Sequence, residues 1–210
     1  MRLAILGVGL IGGSIGRAAR ERGLAEVTGY VRNPAKRDEC LEVGAVDRMA
    51  ESIEDACADA DVVVCCAGVA SLVPMVEAAL GAAGPDCVVT DVGSTKAGLV
   101  EAIGGDERFI GGHPLAGAET AGVANARADL FEGARWYLTP APSCSGVLYD
   151  RLQRLIAGIG ARPVAIEPAE HDRAMAVVSH LPHVFANQLA VQGRPGSERL
   201  GAVAPSLRDA

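Results

Sequence analysis

The stretch that decides the fold stands at the start of the chain: Arg2-Leu3-Ala4-Ile5-Leu6-Gly7-Val8-Gly9-Leu10-Ile11-Gly12. An apolar run of strand length leads directly into three glycines with Gly-x-Gly-x-x-Gly spacing, and helical periodicity follows. In this strand–turn–helix context the glycine pattern is the fingerprint of a dinucleotide-binding fold. Its first glycine permits the tight turn, its second lets the backbone approach a pyrophosphate, and its third lets helix and strand pack closely. The helix N-terminus supplies amide groups and a partial positive charge for the phosphates.

Outward from this turn, short apolar strands alternate with helical patterns over the first 165 residues. Such alternation predicts a parallel sheet with crossover helices on both faces. The predicted strands are Arg2–Leu6, Val27–Val31, Asp61–Cys66, Cys87–Val92, Phe109–Gly111, Arg135–Leu138 and Arg162–Ile166. The predicted helices are Leu10–Arg22, a helix that begins at Pro34, Val73–Ala83, Thr95–Ile103 and Val147–Ile159. We therefore expect a Rossmann-type, doubly wound α/β domain with a mostly parallel sheet over residues 1–167.

The pattern changes at Pro168. Only helical periodicity runs from there to about Leu189, and the tail Gln192–Ala210, with its glycines and prolines, is typical of a loop. We expect residues 168–210 to be the start of an all-helical domain that the chain does not complete.

Composition and charge exclude several classes of function. The chain has 210 residues, 50% of them hydrophobic, and a formal net charge of −7 without long runs of either sign. Nucleic acid or an anionic membrane would call for a basic face, so neither is an expected partner. No apolar run has the ~18–20 residues of a membrane span, and the chain opens directly into a strand instead of a leader pattern. We therefore expect a cytoplasmic protein with its six cysteines reduced.

The residues at the end of the second predicted strand bear on the choice between NAD and NADP. NAD-binding domains usually place an acidic residue there, about 20 residues after the glycine turn, to bind the ribose 2′-hydroxyl. This chain has Val31 followed by Arg32. A guanidinium suits a 2′-phosphate, so the pattern favours NADP, with NAD possible; the alternative is that Arg32 is an ordinary solvated loop residue. We also assign Leu10, Ile11 and Ala67, the last just past the third predicted strand, to the cofactor site.

Two further segments follow strand ends, where open α/β sheets bind ligands: Thr90-Asp91-Val92-Gly93-Ser94-Thr95-Lys96 and Gly111-Gly112-His113-Pro114-Leu115-Ala116-Gly117-Ala118-Glu119. His113, one of only four histidines, is predicted to lie in a loop between glycines and a proline. A histidine in such a place is a candidate acid or base. The alternative is a structural histidine.

These residues carry a family resemblance. The chain resembles the prephenate/arogenate dehydrogenases of tyrosine biosynthesis in four segments, which occur in the family's order and span about residues 2–210. The first segment is shared by many dinucleotide enzymes, whereas the third and fourth segments, taken together, are specific to this family. The segments are Gly7-Val8-Gly9-Leu10-Ile11-Gly12-Gly13-Ser14-Ile15, Asp91-Val92-Gly93-Ser94-Thr95-Lys96, Gly112-His113-Pro114-Leu115-Ala116-Gly117, and His171-Asp172 with Ser179-His180-Leu181-Pro182-His183.

The resemblance implies an oxidative decarboxylation. Hydride would leave the ring carbon that bears the 4-hydroxyl and pass to the nicotinamide, while the ring carboxylate leaves as CO₂ and the ring becomes aromatic. His113 would accept the hydroxyl proton, and Ser94 would orient His113 and contact the nicotinamide carboxamide. Ser94 is alternatively the N-cap of the next helix, or both. Prephenate is the expected substrate, and arogenate dehydrogenase is the alternative in the same class.

For the substrate pocket the resemblance implies His180 and His183, which are three residues apart, with His183 the closer contact. Packing at the domain junction is the plain alternative for this pair. No metal site is predicted, because no carboxylate or cysteine completes a ligand spacing. Glu119 belongs either to a polar network at the pocket mouth or to an exposed loop.

The resemblance also bears on assembly. Family members continue through a helical domain that dimerises, and their chains run on into a Thr-Arg pair that binds a substrate carboxylate. We expect the 210-residue chain to lack that contact, to bind prephenate weakly and to form no well-defined homodimer. The alternative from another functional class is a catalytically idle dinucleotide-binding protein, such as a fragment or a regulatory subunit.

Overall fold

A computed structural model describes residues 1–182, 184–189 and 191. Its strands form one eight-stranded sheet in the order β3-β2-β1-β4-β5-β6-β7-β8. Strands β1 to β6 pair in parallel, β7 is antiparallel to β6, and β8 is parallel to β7. The strands are β1 (Arg2–Leu6), β2 (Glu26–Tyr30), β3 (Arg48–Met49), β4 (Val62–Cys65), β5 (Val88–Asp91), β6 (Phe109–Pro114), β7 (Arg135–Pro140) and β8 (Arg162–Ala165). The predicted doubly wound α/β fold with a mostly parallel sheet is confirmed.

Helices connect the parallel strands. They are α1 (Leu10–Glu21), α2 (Arg37–Glu42), α3 (Ile53–Cys57), α4 (Leu72–Ala82), α5 (Ala97–Ile103), α6 (Gly146–Gly158) and α7 (Pro168–Met175). Single turns of 3₁₀ helix occur at Pro34–Lys36, Val69–Ser71 and Val123–Asn125. Local chemistry fixes several ends: the hydroxyl of Ser52 accepts a hydrogen bond from the amide of Asp55 at 3.2 Å and caps α3. Gly104, with φ +70°, ends α5 in the left-handed conformation that glycine adopts easily.

Both faces of the sheet are buried, which explains why its central strands are continuously apolar. Successive residues of a strand point to opposite faces, so each central strand contributes to two separate cores. Leu3 and Ile5 of β1 belong to one core, and Ala4 and Leu6 belong to the other. The first core is covered by α1 and α6 and the second by α3, α4 and α5.

The structure corrects the sequence-based prediction at β6. The strand was expected to end at Gly111, with His113 in a loop, but it continues to Pro114. The reason is the antiparallel partner: in the register of β6 and β7, Gly112 lies opposite Leu138 and His113 opposite Tyr137. His113 is therefore a strand residue, and its backbone is held within the sheet.

Two short elements were not predicted. Strand β3 has two residues and helix α3 has five, so neither is long enough to show a period of apolar residues. They connect β2 to β4 and complete the half of the sheet that precedes β4.

The chain divides into two units, Met1–Pro168 and a second that begins at Ala169. In the second unit, α7 continues into a π-helical segment, Ala176–His180, and residues 181–182 and 184–189 are helical. The helical periodicity predicted from Pro168 is thus confirmed over these residues. The tail predicted for Gln192–Ala210 lies outside the described residues. Within the part of the chain that the structure describes, no helix combines the length and apolarity that a membrane crossing needs.

Candidate active site

The glycine-rich turn connects β1 to α1. Gly7 has φ +102°, and a Cβ there would lie 2.1 Å from the carbonyl oxygen of Cys66. A Cβ on Gly12 would lie 2.3 Å from the carbonyl oxygen of Gly7. At Gly9, by contrast, a Cβ would meet no atom within 4 Å. The packing of the protein itself thus requires glycine at two positions, whereas Gly9 borders open space, as a glycine does when its role is contact with a bound pyrophosphate.

Helix α1 begins beside that space. Gly9 is its N-cap residue and provides no side-chain cap, and the first turn of α1 contains no acidic residue. The first amide groups of a helix have no partner within the helix and carry the positive end of its dipole. This N-terminus is therefore suited to an anionic group.

A cleft of about 330 Å³ opens at the same edge of the sheet. It lies at the carboxyl ends of β1, β4 and β5 and spans the point between β1 and β4 where the strand order reverses, which is where open α/β sheets bind ligands. Its lining includes the predicted cofactor residues Gly7, Gly9, Ile11, Gly12, Ala67 and Ser94, together with Cys66, Gly68, Val69, Val92 and Gly93. Two predicted cofactor residues lie elsewhere: Leu10 packs against the core, and Arg32 lies beyond the end of β2.

Arg32 is exposed and follows β2 after one buried residue, Val31. Its neighbours are committed to protein contacts, because Asn33 accepts a hydrogen bond from the amide of Ala35 at 3.1 Å and Arg37 pairs with Glu51 at 2.8 Å. Arg32 forms no ion pair among the described residues. Of the guanidiniums near the end of β2, Arg32 is thus the one that remains available for a ligand.

Ser94 and His113 belong to neighbouring parts of the sheet edge, Ser94 just after β5 and His113 near the end of β6. Ser94 lies in the loop after β5 and lines the cleft, and His113 is the second-last residue of β6; both are half-buried. The alternative role of Ser94 as a helix N-cap is wrong, because α5 begins at Ala97 and its N-cap residue is Lys96. The loop position leaves the Ser94 hydroxyl available for a role in the cleft.

Beneath both residues lies a charged pair that sequence reasoning missed. Asp91 and Lys96 are both fully buried, and the Lys96 ammonium forms a short ion pair with Oδ2 of Asp91. The same oxygen accepts the amide of Gly93 at 2.8 Å, and Oδ1 accepts the amide of Gly112 at 2.9 Å. Burial raises the pKa of the Asp91 carboxyl, and Lys96 and the two amides oppose that rise. The available signal was an acid at a strand end with a lysine five residues later.

The remaining predicted site residues are Glu119, His180 and His183. Glu119 is exposed in the loop after β6 and makes no hydrogen bond or ion pair with a described residue, which agrees with an ordinary loop acid. His180 is half-buried at the end of the π-helical segment of the second unit, and His183 lies outside the described residues. His171 is fully buried, with Nδ1 2.8 Å from Oδ1 of Asp172. Among described side chains, no group of three or more His, Cys, Asp or Glu is placed to hold a metal ion.

Comparison with known families agrees with this geometry. The family model described as "Prephenate dehydrogenase, nucleotide-binding domain" matches residues 15–165, and the model described as "Prephenate dehydrogenase, dimerization domain" matches residues 167–203. The chain belongs to the prephenate dehydrogenase family. Its α/β unit is therefore the nucleotide-binding domain of that family, to which the glycine turn at residues 7–12 contributes just before the matched region.

Individual family members show the same likeness. A prephenate dehydrogenase of Bacillus subtilis is 33% identical over 196 residues, which are 90% of this chain and 53% of that relative. A crystal structure of the Aquifex aeolicus prephenate dehydrogenase in complex with hydroxyphenyl propionate and NAD⁺ superposes with a TM-score of 0.85 at 30% identity, over 98% of this chain and 72% of that one. The Synechocystis arogenate dehydrogenase has a TM-score of 0.83 at 27% identity, over 100% and 77% of the two chains. The chain spans about half the length of the curated prephenate dehydrogenase that it matches.

Proposed function

We propose that this chain acts as a prephenate dehydrogenase, which converts prephenate to 4-hydroxyphenylpyruvate with hydride transfer to NAD(P)⁺. The observation that carries the proposal is that Ser94 lines the glycine-rich cleft just after β5, while His113 lies near the end of β6, the neighbouring strand. The family supports the reaction class. Arogenate dehydrogenase, which would give tyrosine directly, is the alternative within the same chemistry. The similarity to the Synechocystis arogenate dehydrogenase is the reason to assay arogenate as well as prephenate.

The residues present fit a dinucleotide. Open space at Gly9, the unpartnered first amides of α1 and the positive end of its dipole suit a pyrophosphate, with Ile11, Ala67 and Ser94 along the cleft. When bound, the nicotinamide supplies the hydride acceptor. Everything else in the reaction depends on the groups of the protein: they must hold the substrate ring, receive one proton and exclude water.

His113 is proposed to be the base. Its imidazole would accept the hydrogen bond of the 4-hydroxyl and take that proton as the C4–H bond gives up its electron pair as hydride. The oxygen becomes a carbonyl, the bond to the ring carboxylate breaks, CO₂ leaves, and the ring aromatises to the phenol on reprotonation of the oxygen. A neutral imidazole has a reference pKa near ~6.5, which suits a base at physiological pH.

Ser94 is proposed to orient His113 and to contact the nicotinamide carboxamide, since it lines the cleft from the loop after β5, the strand next to β6. His180, His183 and Glu119 are proposed as substrate-binding residues on the strength of the resemblance. We also propose a division of the chain into a nucleotide-binding domain over 1–167 and the start of a helical domain over 168–210. The match of residues 167–203 to the dimerisation-domain model supports that division.

NADP⁺ is proposed as the preferred cofactor, with NAD⁺ as a possible second. The support is the exposed Arg32 after β2, at a strand end where Val31 replaces the acid that would select the 2′-hydroxyl. The NAD⁺ bound by the Aquifex aeolicus relative makes NAD⁺ the competing outcome.

One assay tests the proposal. The purified chain is given prephenate or arogenate, each with NADP⁺ or NAD⁺, and formation of the reduced cofactor is followed by absorbance. We expect turnover with prephenate, faster with NADP⁺, and turnover lowered by roughly 10²–10⁴-fold in the His113→Asn variant. Turnover with arogenate alone would reassign the substrate. Tight dinucleotide binding without turnover on either substrate would favour the catalytically idle protein.

A further inference from the structure

The Asp91 carboxylate connects two segments of the candidate active site. It lies at the end of β5, and its two oxygens serve different segments. Oδ1 accepts the amide of Gly112 at 2.9 Å, one residue before His113. Oδ2 accepts the amide of Gly93 at 2.8 Å, one residue before Ser94. Ser94 and His113 thus each follow directly after a residue whose amide donates to the same carboxylate.

Lys96 completes this arrangement from the far end of the loop. Its ammonium pairs with Oδ2, and the side chain is 0% exposed, as is that of Asp91. Both charges are out of water, so the ion pair holds the Asp91 carboxylate in place while it accepts the two amides. It also links the two ends of the segment from residue 91 to residue 96. Ser94 lies inside that closed segment.

The glycines on either side of the carboxylate allow its close approach. A Cβ on Gly112 would lie 2.5 Å from the backbone oxygen of Asp91, and a Cβ on Gly93 would lie 2.9 Å from Oδ2 of Asp91 and 2.5 Å from Leu72 Cδ1. At Gly112 the close atom belongs to the backbone, so that position requires glycine, whereas a Cβ on Gly93 would oblige the Leu72 and Asp91 side chains to shift. This packing is independent of the ion pair and points to the same close connection of β5 and β6.

Stability alone does not explain a buried pair at this place. Moving two charges out of water is costly, and replacing a buried ion pair by apolar residues of similar volume is often neutral or stabilising. An apolar pair, however, could not accept two amide hydrogen bonds in different directions. What the charged pair supplies here is geometry.

We propose that Asp91 and Lys96 are positioning residues that hold Ser94 and His113 in register across the gap between β5 and β6. The proposal rests on the proposed function, because it concerns the same site. Neither residue touches the reacting atoms; each acts through the backbone of the residue next to a functional side chain.

The variant that separates position from stability is Asp91→Asn combined with Lys96→Met. It buries no charge, so the fold should survive, but a carboxamide has one acceptor oxygen where the carboxylate has two. Only one of the two amides can therefore keep its partner. We expect the exchange of the Gly93 or the Gly112 amide proton, measured by NMR on the full chain, to become roughly tenfold faster or more.

The matched control is Leu152→Ala, a truncation of a buried side chain on α6, outside both the 91–96 segment and the end of β6. It should lower the thermal stability while leaving the exchange of the two glycine amides close to that of the surrounding strands. If the double variant does not fold, Asp91→Asn combined with Lys96→Gln takes its place, since it also buries no charge and gives the carboxamide a polar neighbour; one of the two glycine amides should again lose its acceptor and exchange faster. Unchanged exchange at both glycines would overturn the proposal.

Activity gives the second readout. In an otherwise wild-type chain the double variant should lower kcat by roughly 10–100-fold, the usual effect of misplacing catalytic groups by about 1 Å. In a His113→Asn background the same pair of substitutions should add much less, because the group that it positions is already absent. Equal losses in both backgrounds would show a general structural effect and contradict the proposal.

The amide-exchange and activity measurements distinguish failure of the positioning role from failure of the proposed function. If the unmodified chain turns over neither prephenate nor arogenate, the proposed function fails, and amide exchange still decides whether the pair holds the two segments. If the chain is active and the exchange rates do not respond, the positioning role alone fails.

Discussion

His113 in β6 lies directly opposite Tyr137 in β7, in the antiparallel part of the sheet. Directly opposite residues of antiparallel strands have Cβ atoms about 4.5–5.5 Å apart, so the two side chains share one face. The histidine proposed as the base is therefore carried by a strand, which pairs with β5 at Phe109 and Ile110 and with β7 through to Pro114, instead of by a loop. A base that must meet a ring hydroxyl in one geometry benefits from such a rigid support.

Replacing His113 by Asn should lower kcat by roughly 10²–10⁴, the range that a general base contributes, while the dissociation constant of the dinucleotide stays within about twofold. Steady-state kinetics and a cofactor titration on the same preparation check this. The exposed Glu101→Gln variant on α5 is the comparison, since it removes a surface carboxylate outside the proposed site and should alter neither kcat nor the fold. A His113→Asn enzyme with near-normal kcat would refute the role of His113.

Arg32→Ala should remove most of the preference for NADP⁺ over NAD⁺. A charge-assisted pair with a 2′-phosphate contributes about 1.5–3 kcal/mol, which is roughly ten- to a hundredfold in affinity. The matched control is Arg37→Ala: it removes the same charge nearby, but from a side chain already paired with Glu51 at 2.8 Å. NADP⁺ and NAD⁺ are titrated into the wild type, the Arg32→Ala variant and the Arg37→Ala variant, and the dissociation constants are compared. A wild-type chain that prefers NAD⁺ would contradict the role of Arg32.

The glycine turn offers a paired test of binding against packing. Gly9→Ala adds a methyl group where no protein atom lies within 4 Å, so it should weaken dinucleotide binding at a stability cost of no more than about 1 kcal/mol. Gly12→Ala places its methyl group 2.3 Å from the carbonyl oxygen of Gly7 and should both lower Tm and abolish binding. Calorimetric melting and cofactor titration distinguish the two variants. Equal losses of Tm would show that Gly9 is a packing residue.

The sequence predicts the turn and the central strands because their signals are local. A buried parallel strand such as β4 is apolar throughout, and the glycine pattern occupies six consecutive residues. What it did not predict depends on residues far apart in the chain. The extension of β6 through His113 is set by β7, and the Asp91 carboxylate accepts the amide of Gly112, which lies 21 residues away. No window of sequence contains those partners together.

The choice between NAD and NADP is also only partly predictable from the sequence. The absence of an acid after β2 is visible in the sequence at Val31, but which of the nearby cations is available is not. That depends on Glu51, which lies beyond β3 and pairs with Arg37. The structure thus removes Arg37 from the candidates for the 2′-phosphate and leaves Arg32 as the exposed guanidinium next to β2.

Acid should weaken the loop that leads into β6. Asp106 accepts hydrogen bonds from Nη2 of Arg108 at 2.8 Å, from Nε at 3.1 Å and from its amide at 2.9 Å, and Arg108 also donates to the carbonyl of Ala83 at 3.1 Å. The Arg108 side chain, by these hydrogen bonds, lowers the pKa of Asp106 below its ordinary value of 3.8. A carboxyl with a depressed folded-state pKa contributes stability that is present above the unfolded value and is lost as the pH falls through the folded value.

Asp106→Asn should therefore lower Tm at pH 7, by about 2–4 °C for each kcal/mol lost, and the gap to the wild type should close below about pH 4 because the wild-type carboxyl is then being protonated. The control is Asp150→Asn, which removes a carboxylate from an exposed ion pair with Arg154 on α6; such pairs contribute little, so its Tm should follow the wild type throughout. Thermal melts of the three proteins from pH 7 down to about pH 2 give the comparison. A gap that stays constant over this range would mean that Asp106 acts through its shape and not through its charge.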